Sequence, residues 1–172
     1  MRWLIIFLAL FLLIILQAAF NSLLVTFGSV NLLLIFATLT AIFGGEKELG
    51  VTLIISALML DFASGLPDGL LAISLILSIV MVRLSVAWFF STENDFKIML
   101  GSVGAATIVF VVLTWLVNQI FQIFHLAYEF QLGFLLGKKV WADMLLNLLF
   151  TYPIMYYYFF LQKVIKEKHG SV

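Results

Sequence analysis

Between positions 3 and 43 the chain runs without one charged side chain. A helix that is apolar on every face belongs in lipid or at the centre of a large protein, and 172 residues make only about one domain. Mean hydropathy is +1.22 and 10% of residues are charged, where a soluble domain carries roughly a quarter. In lipid every backbone N–H and C=O must find its partner within the protein. A barrel would need short alternating segments, which the sequence lacks, so the expected fold is an all-α polytopic membrane bundle formed by residues 1–172 as a single domain.

Six apolar runs are expected to span, over about 3–20, 23–43, 51–62, 70–90, 98–124 and 140–161, with a water-facing cytoplasmic tail at 162–172. The first reads as a helix and not as a secretory signal, because it exceeds the usual apolar core of about 7 to 15 residues and ends without a small-x-small cleavage site. Residues 44–50 read as a polar turn, as do residues 91–97, and residues 125–139 as an interfacial loop or short amphipathic helix. The third run is only about a dozen residues, or ~18 Å of helix against ~30 Å of hydrocarbon, so the turn after it is expected within membrane depth. Tyr156, Tyr157, Tyr158, Phe159 and Phe160 are expected in the headgroup belt.

Orientation follows from the cations. With both termini cytoplasmic, Arg2, Lys47, Lys97, Lys163, Lys166 and Lys168 lie inside and only Lys138 and Lys139 outside, as the positive-inside rule requires. Arg83, well inside the fourth run, is expected to snorkel toward the inner face.

Zero net charge leaves no electrostatic footprint for nucleic acid. The absence of cysteine removes disulfides and thiolate metal sites, and His125 and His169 have no metal-ligand spacing. No nucleophile–base pair, phosphate-cradling loop or HExxH motif is present, so neither catalysis nor a cofactor or metal is expected.

The polar interruption at residues 61–71, DFASGLPDGLL, is the main candidate site. A charge at bilayer depth costs ~2.5 to 3.5 kcal/mol on an insertion scale, so Asp61 and Asp68 need water or partners. For Asp61 the alternatives are water, a helix-start cap, or a basic or amide group on another span. Gly65 would permit a positive φ, Pro67 would start the next helix, and Gly69 would allow close backbone approach. Asp68 to Ala72, DGLLA, touches the D-G-x-x-A-R core of metal-dependent phosphatidyltransferases but has Gly65 and Ile73 where that core has Asp and Arg. Asp143 and Asn147, four apart, share one helix face and form a second polar site in the last span, read as an interfacial acid beside Lys138 and Lys139. Gly101 and Ala105, with the offset pair Ser102 and Ala106, form a small-residue face suited to helix packing.

The arrangement Asp61-x-x-Ser64-Gly65-Leu66-Pro67-x-Gly69-Leu70-Leu71 after a third span resembles the signature region of the MreD family of bacterial rod shape-determining membrane proteins. The chain is also similar in length, in its early pair of apolar spans, and in a last span where Asn147 precedes Pro153 and a basic tail. Asp68 departs from that pattern, and the tail is less arginine-rich. The resemblance implies a non-catalytic component of the cell-elongation and peptidoglycan-synthesis machinery in the bacterial cytoplasmic membrane. Its implied partner is a bitopic MreC-like protein, and through it the MreB filament and the RodA and transpeptidase wall synthases. It also implies a bundle similar to the substrate-binding subunits of energy-coupling-factor transporters. The alternative is therefore a vitamin-type transporter subunit with a polar pocket near its outer face.

Overall fold

The computed structural model describes residues 2–24, 28–64, 66, 69–89, 96–126 and 137–169. These form six helices: α1 (Arg2–Leu23), α2 (Leu32–Phe43), α3 (Glu46–Ser64), α4 (Leu70–Phe89), α5 (Phe96–Ile123) and α6 (Lys138–His169). Three helical segments are long and apolar enough to cross a membrane, Arg2–Leu23, Lys97–Ile123 and Val140–Ile165.

The architecture is organised around α2. Leu32 through Ala41 are all buried, and α2 packs against each of the other five helices. A helix so enclosed can be apolar on every face, and the leucine-rich sequence of α2 meets that requirement. The surrounding helices sort their side chains instead. On α1, Ile6, Leu10, Leu13 and Gln17 face inward at helical spacing while Phe7, Phe11 and Ile15 face outward. Phe36 of α2 meets Tyr158 of α6 edge-on at 5.5 Å between ring centroids.

Helix lengths correct the sequence reading at two places. The expected span over 23–43 is broken, since α1 runs through Leu23 and α2 begins only at Leu32. Residues 28–31, which are not helical, carry the chain to the start of α2. The expected short third helix is not short, because α3 has 19 residues. Its first turn is taken from the segment read as a polar loop, where Glu46 and Glu48 suit the positive end of the helix dipole. The half-length helix is α2, with 12 residues.

The last helix also runs further than expected, continuing through Lys163 to His169, so the region read as a free tail is largely helical. Tyr157 and Tyr158 do not sit in an exposed aromatic belt: Tyr158 is 2% exposed, and the Tyr157 hydroxyl donates to the Ala9 carbonyl at 3.4 Å. Helix α5 closes with His125 in the left-handed region at φ 57, where Leu126 N–H donates to Phe121 O and His125 N–H to Gln122 O. That pair of bonds is a Schellman cap.

Candidate functional site

The polar side chains of the bundle converge on the ends of its helices. A helix start leaves four N–H groups without intrahelical acceptors, and where they are kept from water the protein itself must supply them. Two such starts, those of α2 and α4, lie at the same end of the alternating bundle, and each is held by a side chain from a neighbouring helix.

Asp61, in the last turn of α3, serves the start of α4. Its Oδ2 accepts from Gly69 N–H, and its Oδ1 accepts from Leu71 N–H at 3.2 Å and Ala72 N–H at 3.4 Å. A carboxylate is thus placed where the helix dipole is positive and N–H groups are exposed, which is the capping alternative for this residue. Ser64 turns the chain, donating to the Asp61 carbonyl at 2.8 Å and accepting from Leu66 N–H at 3.1 Å. Gly69 takes φ +91, so its role is the left-handed backbone and not close packing; the nearest side-chain atoms to a Cβ there would be on Ile73 and Phe121 at 3.8 and 3.9 Å. Gly65, Pro67 and Asp68 lie outside the described residues.

The second anchorage holds the start of α2 and draws on three helices. Asp143 Oδ1 accepts from Ser29 N–H, and Asn147 Oδ1 accepts from Asn31 N–H at 2.8 Å. Asn147 also donates through Nδ2 to Thr107 Oγ1 of α5 at 3.1 Å. From α1, Asn21 accepts from Val30 N–H at 2.8 Å and Gln17 from Leu33 N–H at 3.3 Å. Asn31 itself caps Leu34 N–H at 3.0 Å. Asp143 and Asn147 therefore do act from one face, as their spacing predicts, but they grip the α1–α2 connection. Gly28, at φ +156, permits this approach: a Cβ there would stand 2.9 Å from Asp143 Oδ1 and 3.2 Å from the Ala142 and Leu146 side chains.

The opposite end of α2 is held by charge. The Arg83 guanidinium of α4 donates to the Ala41 carbonyl in the last turn, where the helix dipole favours a cation. Arg83, expected to snorkel toward the inner face, thus spends a guanidinium N–H on a backbone acceptor of the neighbouring helix. Nearby, Arg2 pairs with Glu48, and Glu48 Oε2 accepts from Gln162 Nε2 at 3.2 Å, joining α1, α3 and α6. A small cavity below this group is lined by Phe36, Thr40, Glu48, Thr52 and Tyr158.

Gly101 and Ala105 are exposed, and no atom lies within 4 Å of a Cβ built on Gly101. They do not pack within the chain, whereas Ser102 and Ala106, one position on, are buried. Among the described residues no group of three or more His, Asp or Glu side chains is placed to hold a metal ion. Sequence reading passed over Gln17, Asn21, Gly28, Asn31, Glu48 and Thr107. Of these only Asn31 gave a local signal, as an N-cap type directly before a leucine run.

Compared with known proteins, the chain matches no protein-family model, no curated protein and no solved structure.

Proposed function

We propose that this chain is a non-catalytic adaptor of the bacterial cytoplasmic membrane, similar to the MreD family, that packs against the single transmembrane helix of an MreC-like partner in the cell-elongation complex. In this reading six helices lie in the bilayer with both termini cytoplasmic. The observation that carries the proposal is how Asp61 is used. Its carboxylate joins the end of α3 to the start of α4 through three backbone N–H groups, a use that supports a structural role for this residue. The ends of α3 and α4 are thereby drawn together.

The docking surface in this reading is the outward stripe of α3 that ends at this turn. Ile54, Leu58 and Phe62 recur every four residues and are 59%, 50% and 83% exposed. A partner helix gains packing contacts along such a ridge, and the Asp61 cap fixes where Phe62 stands.

The test is capture of an MreC-like bitopic protein on the tagged chain. Phe62→Ala is expected to lower capture at least fivefold, while Ile120→Ala, an exposed change on α5 at the same end, leaves it unchanged. Full capture by correctly inserted Phe62→Ala protein would contradict the proposal. A vitamin-like molecule retained on the purified chain would favour the transporter alternative.

A further inference from the structure

In a span over Val140–Ile165 the outward face of α6 carries polar groups nearer the bilayer centre than the headgroup belt expected for Tyr156. Pro153 stands at the middle of that span, on the exposed side. Proline has no N–H, so the Leu149 carbonyl lacks its usual donor one turn on, and Leu149 is 69% exposed. Tyr156, 62% exposed on the same face, leans toward the helix N-terminus as helical side chains do. Its hydroxyl therefore returns to about the level of Pro153. That hydroxyl stands 3.5 Å from the Tyr152 hydroxyl, beyond the usual reach of an O–H···O bond in either direction, and no nearer polar partner of Tyr156 is found among the described residues. Hydrocarbon offers no partner to a hydroxyl or a carbonyl.

A donor and an acceptor at one depth on one face are self-complementary. A two-fold axis along the membrane normal keeps depth and presents the same patch on both copies, so it brings each hydroxyl opposite the other copy's carbonyl. A foreign helix would have to supply both complements at that level. We propose that two copies of this chain pair through the outward face of α6, each Tyr156 hydroxyl donating to the Leu149 carbonyl of the other copy. Trp141 and Leu145, 60% and 63% exposed, extend the contact toward the end that carries the two anchorages. The pairing face lies on α6, separate from the α3 stripe, and stands or falls independently of the partner reading.

The protein has no cysteine, so one introduced thiol reports one position. Leu145→Cys and Leu149→Cys, oxidised in native membranes, are expected to give at least tenfold more cross-linked dimer than Val112→Cys on the exposed face of α5. Adding Tyr156→Phe to Leu145→Cys is expected to cut the dimer severalfold, with the singly substituted protein's elution profile retained. Equal yields at positions 112, 145 and 149 would overturn the proposal. So would a Leu149→Cys thiol that cross-links to a different membrane protein in place of its own copy, or a Leu145→Cys dimer indifferent to Tyr156→Phe.

Discussion

Asn147→Leu is expected to destabilise the protein by about 3 kcal/mol, measured as a shift in the denaturant midpoint in detergent micelles. The replacement has nearly the same shape, so the loss is one of hydrogen bonds. Asn31 N–H would remain at the buried start of α2 without its acceptor, and a buried unsatisfied group costs ~1 to 3 kcal/mol. The bond from Asn147 to Thr107 Oγ1 would also go, and side-chain bonds between membrane helices are worth ~0.6 to 2 kcal/mol. Thr107→Val should cost less, about 1 to 2 kcal/mol: it strips the buried Asn147 Nδ2–H of its acceptor but leaves the Asn31 N–H bond to Asn147 in place. A double-mutant cycle between the two positions should return a coupling of about 1 kcal/mol.

Gly28→Ala is expected to cost about as much, ~3 kcal/mol, for a different reason. The backbone at φ +156 is one that alanine rarely adopts, and holding it there costs ~1 to 3 kcal/mol. The new methyl would stand 2.9 Å from the carboxylate oxygen that accepts from Ser29 N–H, so α6 must move away and the bond must lengthen. Overpacking of that kind adds ~1 to 3 kcal/mol. Gly101→Ala is the matched control. It lies inside α5 with open space around it, and the gain in helix propensity should stabilise by up to ~1 kcal/mol. Opposite signs for the same chemical change would separate a glycine required by packing from one that is not.

Much of this architecture was legible from hydropathy alone, and the exceptions share a cause. Apolar runs locate helices because lipid demands internal hydrogen bonding, and the ends of α4 and α5 fall close to where the runs end. The break between α1 and α2 was placed at residues 21–22, too early, because Leu23, Leu24 and Val30 keep the true connection as apolar as a helix. Hydropathy does not distinguish helical from extended backbone when side chains satisfy the N–H groups. Those side chains are distant in sequence: Asp143 is 114 residues from Ser29 and Asn147 is 116 from Asn31. No local pattern encodes such a pairing. Asp61 differs because its acceptor role lies within one turn of chain, 8 to 11 residues away, and capping was among its readable alternatives. Glu48 belongs with the distant pairings: residues 44–50 read as a polar turn, and its pairing with Arg2 depends on how α1 and α3 pack.

If the polar side chains of this bundle are spent on holding helix starts, the amides they hold must be slow to exchange. The direct measurement is residue-resolved hydrogen exchange in micelles or nanodiscs, on the wild-type chain and on Asp61→Ala. Gly69, Leu71 and Ala72 amides should be protected in the wild type, although orphan N–H groups at a helix start ordinarily exchange fast. In Asp61→Ala that protection should fall at least tenfold at these three positions, while Ser29 and Asn31, held from α6, keep theirs. Rapid exchange at Gly69, Leu71 and Ala72 in the wild type, or protection that survives loss of the Asp61 carboxylate, would contradict the account.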